Sequence, residues 1–89
     1  MPLSYLEELE SSLNKYVKKV EEFGDVQCLI IEKEVLDLEN KAKRYYIFFT
    51  ELNVDAEILS QLKKLINQIH DFYNYITDTV KSKFPTASI

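Results

Sequence analysis

Between Val26 and Leu52 the apolar residues Cys28, Ile31, Val35, Leu38, Ala42, Tyr45, Phe49 and Leu52 are spaced alternately by three and four. That spacing places all eight on one side of a helix about 40 Å long at 1.5 Å per residue. A strand period would throw them onto alternate faces, so the stretch constrains the chain to a long amphipathic rod against which the rest must pack.

The flanking segments repeat the pattern. Leu6, Leu9, Leu13, Tyr16, Val20 and Phe23 step by three and four, with acids crowding the first turns and lysines following, as the helix dipole favours. Ser4 with Glu7 reads as a capping box, so this helix is expected to start there. Gly24 stands where a left-handed C-terminal cap belongs, and Asp25 is placed to cap the next helix. Asp55 is the corresponding cap before the third helix, with Val54 positioned to staple onto Leu59. The series Ile58, Leu62, Leu65, Ile69, Phe72, Ile76 is widened by Leu59, Ile66, Tyr73 and Val80, enough to touch two neighbours. Phe84 before Pro85 ends it, leaving Thr86 to Ile89 as a tail. The spacing therefore predicts an all-α, antiparallel up-down-up three-helix bundle with helices over about 5–23, 26–52 and 56–83, forming one domain over residues 1–89.

Composition supports this and narrows function. One glycine and two prolines in 89 residues leave out the turn-rich sandwiches, barrels and phosphate-binding loops. A formal charge of −4 repels a nucleic-acid backbone on average. The single Cys28 sits in the apolar series and reads as a small buried hydrophobe, which suits a reducing compartment. An acidic N-terminus and the lack of a long apolar run argue against a signal peptide and a membrane span, so the expected location is cytoplasmic. The polar faces are mixed or acidic, which argues against a membrane-surface role.

The helix lengths differ. If the first helix folds straight back from Gly24, its start lies level with Arg44, and the other two continue for roughly 12 Å at 1.5 Å per residue. That overhang carries Tyr45, Tyr46, Ile47, Phe48 and Phe49, opposite Leu59 and Leu62. Five consecutive large apolar residues cannot all face one side of a helix, so some are expected to be exposed or covered by a partner. Leu29, Leu36 and Ile47 fall within about 20° of one another on the back of the same helix. Leu29, Leu36, Tyr45, Tyr46, Ile47 and Phe48 are thus the candidate interface, and the bundle is expected to be completed by homodimerisation, with a further protein partner as the other occupant.

Candidate chemistry is sparse. His70 is the sole histidine and lies at the border of its helix's apolar face, next to Ile66 and Tyr73. Paired Glu-x-x-His motifs, a zinc-ligand spacing and a glycine-borne nucleophile are all missing from the sequence, so no catalytic, cofactor or metal residue is assigned and an enzyme is not expected. The eleven tyrosines and phenylalanines are expected to fill the core rather than to line a ligand cavity. Lys41, Lys43 and Arg44, followed by Tyr45 and Tyr46, combine base with aromatics and form the alternative, a nucleic-acid-associated accessory protein. Against it, Asp37 with Lys41 and Glu39 with Lys43 are four-residue acid-to-base pairs that explain the lysines as helix-surface support. The expected function is a non-enzymatic protein–protein interaction module.

Overall fold

The computed structural model describes residues 2–85 and consists of three helices, α1 (Pro2–Phe23), α2 (Gln27–Glu51) and α3 (Ala56–Lys83), with no strand among the described residues. The expected tail from Thr86 to Ile89 lies outside them. Cross-contacts fix the directions: Tyr5 near the start of α1 meets Phe49 near the end of α2, and Asp25 just before α2 meets Tyr75 and Lys83 near the end of α3. Successive helices are antiparallel and all three pack on one another. The longest dimension, 45 Å, is close to the roughly 42 Å of α3 alone at 1.5 Å per residue.

The stripes meet at a single core. Leu6, Leu9 and Leu13 of α1, Cys28, Ile31, Val35, Leu38, Ala42 and Phe49 of α2, and Leu62, Leu65, Ile69, Ile76 and Val80 of α3 are buried together. Burying each of the larger side chains contributes about 1.5–3 kcal/mol, the main force holding helices of this length in place. Tyr16, Val20, Tyr45, Ile58, Leu59, Ile66, Phe72 and Tyr73 are half-buried at its margin. Two members of the expected stripes are exposed instead: Phe23 and Leu52. Each sits where the chain turns away, beyond the reach of the neighbouring helices.

The connections use backbone conformation more than side-chain caps. Gly24 adopts φ 83° and its N–H donates to Val20 O at 2.8 Å, ending α1 as expected. α2 ends in a Schellman motif: Asn53 takes φ 54°, its N–H donates to Thr50 O at 3.2 Å, and the Val54 N–H donates to Phe49 O at 3.2 Å. Asn53 tolerates the left-handed region better than most residues. Asp55 does stand at the start of α3, but its side chain makes no capping bond there. Val54 and Leu59, the expected staple, are both half-buried against the core.

Two expected caps are corrected. Ser4 lies inside α1, which begins at Pro2: proline lacks the amide hydrogen that a helix start leaves unpaired and has the helical φ built in, so it serves as a first residue. Asp25 does not cap α2, whose flanking residue is Val26 with no side-chain cap. Its carboxylate turns across the bundle, accepting from Tyr75 Oη at 3.1 Å and from Lys83 Nζ, and so ties the first turn to the last turns of α3.

The earlier start of α1 also changes the tip. With 22 residues in α1 against 25 in α2, the overhang is shorter than the sequence implied. The Tyr5 ring packs edge-on against Tyr45 at 4.9 Å and Phe49 at 5.6 Å, and Phe49 is only 1% exposed. Tyr45 and Tyr46 are half-buried, whereas Ile47 and Phe48 are 59% and 50% exposed. The tip is therefore largely sealed from within, and two of its five apolar residues face outward.

Candidate interaction surface

The outward residues of α2 share one side because of helical phase. Core positions such as Ile31 and Phe49 differ from Leu29 and Ile47 by about 160° at 100° per residue. Leu29, Ile30, Ile47 and Phe48 are all exposed, and Leu36 between them is half-buried. Of the six candidate interface residues, Leu29, Ile47 and Phe48 lie open on this back and flank. Tyr46 turns toward α3, and Tyr45 toward α1, where its hydroxyl donates to Glu8 at 3.4 Å.

Between the back of α2 and α3 lies a shallow hollow of about 300 Å³ lined by Lys43, Tyr46, Ile47, Lys63, Ile66 and Asn67. Its lining is almost wholly apolar. A second hollow, about 360 Å³, runs between α1 and α3 and is bounded largely by polar chains, among them Glu7, Glu10, Lys64 and Gln68. The first has the character of a seat for an apolar side chain from another helix.

One turn from that hollow is a polar cluster that the sequence did not reveal. Glu39 is 3% exposed, whereas its spacing to Lys43 predicts a surface pair. Its Oε2 accepts from Lys43 Nζ at 2.9 Å and lies 3.1 Å from Nδ1 of His70, while its Oε1 is buried with no hydrogen-bond partner among the described residues. Burial pushes the carboxyl up, but the hydrogen bonds and charges of Lys43 and His70 outweigh this and hold it below its ordinary value. The signal lay in phase: Glu39 follows Val35 by one turn and precedes Ala42 by three residues, at the edge of the apolar arc facing α3.

Two of the three basic residues of the alternative reading are held in ion pairs. Lys41 points to α1, where it pairs with Glu8 and sits 5.7 Å from the Tyr45 ring centroid; the expected Asp37 partner is not the one it takes. Lys43 is held by Glu39, and Arg44 is exposed. Among the described residues no group of three or more His, Cys, Asp or Glu is placed to hold a metal ion, and no helix is long and apolar enough to cross a membrane. Cys28 is buried, and burial pushes its thiol pKa up, with the Asp25 charge acting the same way.

No protein-family model, curated protein or solved structure matches this chain.

Proposed function

We propose that the chain is a non-enzymatic protein-interaction module that associates with a second copy through the face of α2 turned away from α1 and α3. The observation that carries the reading is the outward pair Ile47 and Phe48, 59% and 50% exposed beside an apolar hollow. Large apolar side chains grouped at one place on a small surface mark a contact site, whereas single ones scattered over a surface do not. Small domains with limited cores gain most from such association, and a twofold pair is the commonest form. The buried, unpaired Cys28 suits a reducing compartment, and a cytoplasmic location is part of this reading.

The test is the mass of the native protein at high micromolar concentration, by sedimentation and native mass spectrometry, for the natural chain and for Ile47→Asp and Phe48→Asp. A dimer that both substitutions reduce to a monomer with unchanged helical signal supports the proposal. A compact monomer of the natural chain would remove it.

A further inference from the structure

We infer that two copies of the chain exchange α3: the turn between α2 and α3 straightens, residues 27–83 become one helix, and each α3 packs into the bundle of the other copy. This goes beyond the face contact proposed above and does not depend on it.

The two turns are built differently. The first holds Gly24 at φ 83°, a conformation that glycine adopts freely and that keeps the chain bent. From Asp25 to Phe84 the chain has neither glycine nor proline, so no residue of the second turn forbids a helix. That turn is closed by Asn53 at φ 54°, the one non-glycine residue with positive φ among the described residues, and by the Asn53 and Val54 N–H bonds to Thr50 O and Phe49 O. Behind it, the N–H groups of Asp55, Ala56, Glu57 and Ile58 take no backbone partner among the described residues, and the Asp55 side chain does not cap them. A helix start leaves such donors to solvent. In a continuous helix they bond to the carbonyls of Glu51, Leu52, Asn53 and Val54, and Asn53 returns to the right-handed region. Both changes favour the straight form locally.

What holds the turn closed is burial, because α3 must lie against α1 and α2 to cover Leu62, Leu65, Ile69 and Ile76. A second copy supplies the same surface. The contacts of Glu39 with His70 and of Asp25 with Tyr75 set α2 and α3 antiparallel, with the turn at the centre of the pairing. Two straight helices laid antiparallel about a twofold axis through that turn repeat the same contacts between copies, while each α1 stays folded on its own α2. Leu52, 58% exposed in the single copy, falls seven residues after Tyr45 and seven before Leu59, both packed against the core. In the joined helix it lies on that same stripe and turns toward the axis, where the second copy covers it.

Exchange requires α3 to leave its bundle, so the test is made by refolding. The Ile47→Asp chain, in which the face contact is removed, is unfolded in urea, refolded at roughly millimolar concentration and separated by size, and its dimer is measured by small-angle X-ray scattering. The expected dimer is fully helical and about 85 Å long, from residues 27–83 at 1.5 Å per residue, against 45 Å for the single bundle. Asn53→Ala places a strong helix former where the left-handed region disfavours it, and is expected to raise the association constant about tenfold, since each dimer holds two turns. Asn53→Gly, which suits the bend, is expected to lower it. Absence of any dimer in the Asn53→Ala chain, or a dimer no longer than the single bundle, would overturn the exchange. Equal dimer fractions in Asn53→Ala and Asn53→Gly would overturn the second turn as its hinge. The face contact is tested on the natural chain without refolding, so the two proposals fail separately.

Discussion

His70 Nδ1 lies 3.1 Å from Glu39 Oε2 and joins α3 to α2 through a carboxylate that is almost wholly buried. The imidazole itself is half in solvent, with its side chain 52% exposed. A buried carboxylate is costly unless its oxygens are bonded, and here one oxygen has no partner among the described residues.

Two substitutions are therefore expected to differ in sign of interest more than in size of change. His70→Ala removes one of the two hydrogen-bond partners of Glu39 and is expected to cost about 1 kcal/mol, the lower end for a bond to a charged group because the ring is half-exposed. Glu39→Met fills the same space without a charge to desolvate and is expected to be neutral or stabilising. Urea titration followed by circular dichroism separates them. If Glu39→Met costs more than His70→Ala, the cluster stabilises the bundle on balance and the desolvation argument fails.

Acid pH should weaken the fold through the same group. The folded protein holds Glu39 below its ordinary value, so its contribution is complete above the ordinary carboxyl range and is lost as pH falls through the folded pKa. Glu8 and Asp25 shift the same way, through hydrogen bonds from Lys41 and from Lys83 with Tyr75 respectively; Glu8 is open to solvent and Asp25 is half-buried. Stability measured from pH 7 downward is expected to fall less steeply in Glu39→Met than in the natural chain, without becoming flat. Superimposable acid limbs would mean that Glu39 is not held down in the fold.

Tyr5 covers the tip. Tyr5→Ala uncovers Phe49 and the edge of Tyr45 and is expected to cost about 1–2 kcal/mol, from lost ring contacts and exposed apolar area. Phe49→Ala, which empties a core position, is expected to cost about 3–5 kcal/mol. Equal thermal midpoints for Tyr5→Ala and the natural chain would show that the first turn of α1 does not pack there.

These residues also show what could be read in advance. The three helices and nearly all core positions follow from spacing alone, because burial of a continuous stripe outweighs every local preference in helices of this length. What spacing left open were choices among local partners. Ser4 with Glu7 and Asp25 before α2 are good caps in isolation, yet Pro2 extends the first helix and Asp25 reaches Tyr75 and Lys83, fifty or more residues away in sequence. Glu39 makes the four-residue pair with Lys43 that its spacing predicts, but its phase at the edge of the apolar arc buries it against α3. The outward position of Ile47 follows from its phase with Leu29 on the back of α2, whereas that of Phe48 is legible only as part of a five-residue apolar run.

The two turns offer a paired test of backbone conformation. Gly24 at φ 83° has no heavy atom within 4 Å of where a Cβ would stand, so Gly24→Ala meets no steric neighbour and its cost is purely conformational, about 1 kcal/mol. Asn53 at φ 54° occupies the same region with a side chain present. Asn53→Gly removes that strain but loosens the unfolded chain, and the net expectation is a gain of a few tenths of a kcal/mol. The two changes should therefore move the urea midpoint in opposite directions at an unchanged slope. A stabilising Gly24→Ala would require the first turn to adopt an ordinary φ, which would in turn break the Gly24 to Val20 bond and release Asp25 from α3.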